Sequence, residues 1–146
     1  MKIPLRDGKS LGFDRTMLNF SLKYKSLTPY PFTAIVDTGC PFSFLSKDSL
    51  IGKRIPCGFK EIEKSPVALG NIPHKILELD NCKLFFRDVN NELIELEHFM
   101  YVGIPLVKGI LLNKIPCFIG NDFLKKHNLS IIYKKEGSYL ERIDNK

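Results

Sequence analysis

The chain has no long apolar run. Its first residues, MKIPLRDGKSLGF, contain no continuous hydrophobic stretch of the kind a secretory leader needs, and no later segment approaches the length of a membrane span. It also lacks paired cysteines: Cys40, Cys57, Cys82 and Cys117 stand far apart with no CxxC, and His74, His98 and His127 are equally scattered, so no metal-ligand spacing is present. No metal and no cofactor is expected. The phosphate-cradling patterns GxxxxGK and GxGxxG, the zinc-protease HExxH and the nucleophile elbow GxSxG are all missing. The formal charge is +6, yet the lysines are dispersed, with only short pairs at Lys125-Lys126 and Lys134-Lys135. Without a basic block, neither nucleic acid nor a membrane surface is an expected partner. These absences leave a cytoplasmic protein with reduced thiols as the expectation.

What is present fits one ordinary domain spanning residues 1-146. Apolar residues make up 44% and charged residues 26% of 146, enough for a core without staples. The centre of interest is FTAIVDTGCPFSFLS, from Phe32 to Ser46. A run of β-formers, Phe32 to Val36, delivers Asp37 into a turn at Thr38-Gly39, and a second apolar run leaves from it. Before it, Met17 to Tyr24 alternates with Leu18, Phe20, Leu22 and Tyr24 on one face, a half-buried strand. After it, KDSLIGKRI reads as a short helical turn with Ser46 and Asp48 as caps, and 56–66 as a strand and loop. Val67-Ala68-Leu69 and Lys75 to Leu79 flank a turn-rich tip, Gly70 to His74, with His74 solvated. Cys82 to Phe86 and Leu93 to Val102 form a hairpin around Asp88 to Asn91. The segment 104–114 is apolar but interrupted. Cys117 to Ile119 then reaches Gly120, Asn121-Asp122 cap a helix over Phe123 to His127, and Leu129 to Tyr133 with Ser138 to Ile143 closes the chain as a hairpin. Eight to ten strands and one short helix make an all-β class with closed or sandwiched sheets.

In this order, strand-Asp37-Thr38-Gly39, the glycine-bearing hairpin at 67–79 and strand-Gly120-x-Asp122 with its helix resemble the retropepsin-like, single-lobe aspartic proteases. The resemblance implies an acid protease fold: a closed β-barrel-like lobe with a flap hairpin and one short helix. It also implies an aspartic endopeptidase that prefers hydrophobic residues in an extended peptide or protein substrate. Two carboxylates sharing one proton are needed to activate water and protonate the carbonyl. Only one Asp-Thr-Gly exists here, so a homodimer with Asp37 from each chain follows. The catalytic set would be Asp37, Thr38 and Gly39. Substrate would meet Cys40, Leu69, Gly70, Asn71 and Ile72, while Gly120 and Asp122 would be structural, Asp122 as a helix cap. Termini interleave in the family, and Lys2 to Leu5 with Tyr139 to Ile143 would serve. Cys40-Pro41 replaces the alanine common after the glycine, and the tip has one glycine and a proline. The alternative is therefore the same fold as a catalytically weak or inactive module for peptide or protein binding or for dimerisation.

Overall fold

In a computed structural model of the chain, the described residues are 1–146 apart from Leu11, 57–59, Lys64, Gly70, 108–114 and 145–146; the side chains of Leu69 and Asn81 are likewise set aside. Expectations that fall on Gly70, on Cys57 and on most of 104–114 lie outside the described residues. The element order is β1 (Lys2–Pro4), β2 (Arg6–Ser10), β3 (Phe13–Tyr24), β4 (Tyr30–Val36), β5 (Phe44–Ser46), a 3-10 turn (Lys47–Leu50), β6 (Val67–Leu69), β7 (Ile72–Arg87), β8 (Leu93–Pro105), β9 (Cys117–Ile119), α1 (Asn121–Lys126), β10 (Leu129–Ile132) and β11 (Tyr139–Arg142).

Strand pairing closes a barrel. The neighbours run β3-β4-β9-β5-β8-β7, and β7 returns to β3 through Ser21↔Phe85 to Tyr24↔Cys82, giving six strands without an open edge. The alternation expected for 17–24 is what fills this barrel: Leu18, Phe20, Leu22 and Tyr24 are buried, and Leu84, Phe86, Met100 and Val102 meet them from β7 and β8. β3 is longer than its alternating part, because its first half leaves the barrel to pair with β2 as an outlying hairpin. The long β7 switches faces at an irregularity between Leu79 and Cys82.

Two connections position everything that follows. β4 and β9 run parallel, with Val36 beside Ile119, so the Asp37 turn and the Gly120 turn emerge side by side from one end of the barrel. A backbone bond from Asp37 N to Ile119 O at 3.0 Å locks them. The helix then packs through Phe123, which is fully buried with Phe86 at 5.9 Å and His98 at 5.1 Å between ring centroids. Burial of one aromatic of this size contributes about 2–3 kcal/mol.

Residues 2–4 and 139–141 pair with each other in a separate sheet of order β1-β11-β10. Other expectations need correction. Ser46 sits at the N-cap of the 3-10 turn without capping it by its side chain. The hairpin tip is tighter than 70–74: Leu69 pairs with Ile72, and Asn71 turns the chain at φ 63°. His74 is consequently part of β7 and is 1% exposed, not solvated.

Candidate active site

The Asp37 turn is held by its own backbone. The carboxylate Oδ1 accepts the Gly39 N–H at 2.8 Å, and Cys40 N donates to Asp37 O at 3.2 Å. The first bond is an Asx-type turn, open to any aspartate before a tight bend. Here it has a further effect, because it fixes the plane of the carboxylate and leaves Oδ2 without a partner among the described residues. Asp37 is half-buried at the floor of a cavity of about 250 Å³. Its walls are Ile35, Phe44 and Phe118 with Pro41 and Pro116, and Gly39, Cys40 and Ala68 complete the lining near Asp37. Ala68 belongs to β6, so the hairpin reaches this cavity, though Asn71 and Ile72 at its tip do not line it. Arg15 and Ser10 enter from the outlying hairpin.

Thr38 points elsewhere. It is exposed and borders a second groove of about 530 Å³ with Leu124, Asn128, Leu129, Ile131, Tyr133 and Ile143. Tyr133 and Ile143 are 69% and 52% exposed, an apolar face beside the open edge of β10. A larger groove, about 840 Å³, lies on the outer side of β3 and β4; its lining has no carboxylate, histidine or cysteine to do chemistry.

Behind the turn lies a polar chain that joins three elements. Gly120 N donates to Ser43 Oγ at 2.9 Å, and Ser43 Oγ donates to Asp122 Oδ1 at 2.6 Å. Asp122 Oδ2 meets His98 Nε2 of β8 at 3.2 Å. Burial pushes the Asp122 carboxyl upward, but the hydrogen bonds from His98 and Ser43 outweigh it and hold it below the usual carboxylate range. The N-cap position falls on Gly120, which makes no side-chain bond, while Asp122 lies in the first turn and its Oδ1 also accepts the Phe123 N–H at 2.7 Å. Gly120 itself is forced by contact: a Cβ there would fall 2.4 Å from Phe42 O and 2.7 Å from Cys40 O. Asn121 N donates to Cys40 O at 2.8 Å, completing the clamp. Cys40 is buried with Sγ donating to Phe42 O at 3.2 Å, and its burial raises the thiol above the ordinary value, so it is no ready nucleophile.

In the cavity wall, Phe44 stacks on Phe118 at 5.1 Å and faces His74 at 6.4 Å. His74 Nδ1 bonds Ile72 O at 2.8 Å, a local bond at the start of β7 that fixes the ring facing Phe44. Of the residues singled out from sequence, Asp37, Gly39 and Cys40 come together in one cavity and Gly120 and Asp122 back them. Ser43, His98, Ala68, Phe118 and Arg15 were not singled out. For His98 a signal existed: it stands in the inward register of β8 with Leu96, Met100 and Val102, where a histidine must find a partner.

No protein-family model and no curated protein sequence matches the chain. Among solved structures it is similar to a retropepsin-like aspartic protease from Rickettsia conorii, with 13% identity over 96% of this chain and 87% of that one, at a TM-score of 0.51. The retroviral protease-like domain of Ddi1 from Leishmania major is also similar, with 15% identity over 84% of this chain and 91% of that one, at a TM-score of 0.40. The barrel closure, the paired turns at its end and the likeness to the rickettsial structure agree: the chain has the all-β, retropepsin-like fold.

Proposed function

We propose that this protein is a homodimeric aspartic endopeptidase acting in the cytoplasm on extended peptides with hydrophobic side chains. The observation that carries the reading is that one turn serves two openings. Asp37 and Gly39 line the cavity under the hairpin, while Thr38 lines the apolar groove along the open edge of β10. A second copy seated in that groove brings its own Thr38 against this one and its Asp37 beside this Asp37. In the three-stranded sheet β10 is an edge strand, and it is the edge that borders this groove.

Two carboxylates brought together share one proton, because like charges at contact cannot both ionise. The ionised one takes a proton from water as the oxygen attacks the scissile carbonyl. The protonated one gives its proton to the carbonyl oxygen, forming a tetrahedral diol. Collapse returns a proton to the departing amine and breaks the C–N bond. Asp37 supplies both carboxylates, Thr38 bonds across the pair and Gly39 lets the substrate backbone approach. The extended peptide lies between Cys40 on the floor and the hairpin residues Leu69 to Ile72, pairing its main chain like an added strand.

The test is cleavage of a mixed peptide library at about pH 4 to 7, where the pair holds one proton, beside Asp37→Asn. Cuts between hydrophobic residues that vanish in the variant support the reading. Peptide capture by wild type and variant alike, without cuts, replaces it with the binding module.

A further inference from the structure

The outlying hairpin of β2 and β3 is not needed to close the barrel, yet it sends one charged side chain toward the Asp37 cavity. Arg15 lies opposite Gly8 in the hairpin register, and Phe13 opposite Ser10, so these four share a face. Gly8 carries no side chain to meet Arg15. The hairpin's acids, Asp7 and Asp14, occupy the alternate positions and so the other face. Arg15 rests over the Phe13 ring at 5.5 Å and makes no ion pair among the described residues, Asp37 included. A guanidinium therefore stands at a cavity walled largely by Ile35, Phe44, Phe118 and two prolines, with Asp37 as the one carboxylate in its lining.

We infer that Arg15 sets specificity: it selects a peptide that presents a carboxylate side chain, Glu or Asp, to the end of this cavity, with its neighbours filling the apolar walls. The inference rests on the peptide-groove reading above but not on cleavage. A planar guanidinium held over an aromatic ring is suited to grip a carboxylate with two parallel hydrogen bonds. The Phe13 contact lowers the ordering cost of that grip. The +6 charge of the chain favours the approach of acidic peptides on the same terms.

The experiment uses fluorescein-labelled ten-residue peptides of Val, Leu and Phe carrying a single Glu, Gln or Lys at each position in turn. Binding to the Asp37→Asn protein is read by anisotropy and cleavage by wild type is read in parallel. At one position Glu is preferred to Gln by roughly 3- to 5-fold, the range of a rim-exposed ion pair. Arg15→Glu, an exposed substitution that leaves the fold intact, reverses this so that Lys gains over Gln by a similar factor. A preference that survives Arg15→Glu, or no preference at any position, overturns the inference. Arg15-dependent binding without any cleavage upholds it while defeating the protease reading, and cleavage without charge preference does the opposite.

Discussion

Replacing Ser43 with alanine deletes the atom on which the Asp37 and Gly120 turns are aligned. Ser43 is fully buried, and its Oγ both accepts from Gly120 N at 2.9 Å and donates to Asp122 Oδ1 at 2.6 Å. The orphaned Gly120 N–H costs about 1–3 kcal/mol, and the lost bond to a charged carboxylate about 1.5–3 kcal/mol. The two losses share one site and overlap, so Ser43→Ala is expected to lower stability by roughly 2–4 kcal/mol. Urea unfolding at fixed protein concentration measures it. With a slope of about 2 kcal/mol per molar, the midpoint falls by roughly 1–2 M. Ser26→Ala, at an exposed position, is the control and leaves the midpoint in place. A midpoint shift for Ser43→Ala no larger than that of the control would show that the polar chain is not what holds the turn.

Other consequences can be checked directly. His127 is held down to about 4 by burial first and by His98 second, below its ordinary value of 6.5. The unfolded chain therefore binds this proton first: the contribution is full above about 6.5 and is lost as pH falls toward 4. Thermal melting across that window should show His127→Gln losing less stability than wild type. Gly120→Ala places a methyl 2.4 Å from Phe42 O, so the backbone must give way. A loss of about 3 kcal/mol or more is expected in the same urea assay, with disordering of the Asp37 turn. Changing the exposed Tyr133 and Ile143 together to lysine leaves the circular dichroism spectrum unchanged, while sedimentation at high concentration shows the dimer lost.

Much of the fold was legible because the barrel strands alternate plainly. Leu18 to Tyr24 in β3 and Leu96 to Val102 in β8 announce their inward faces, and the Asp37 and Gly120 turns carry their own punctuation. What was illegible is longer in range. No local signal says that Ser43 bonds a carboxylate 79 positions on, since that contact exists only once β5 and β9 are neighbours. Around His74, proline and glycine suggest a wide tip; Asn71 accepts a positive φ and makes the turn narrow, drawing His74 into the strand. Arg15 was hidden because its hairpin starts among turn residues, where alternation is faint. The pairing of β1 with β11 in cis depends on the return of the last strand to the first, which composition cannot announce.

The central claim is that two Asp37 carboxylates from two chains make one site, and mixing chains tests it most directly. Wild type and Asp37→Asn are unfolded together, refolded at varied ratios, and assayed for peptide cleavage at constant total protein. A dyad requires activity to follow the square of the wild-type fraction, so an equal mixture retains about one quarter of full activity. Activity that falls in simple proportion, or that persists in Asp37→Asn alone, would contradict the shared site.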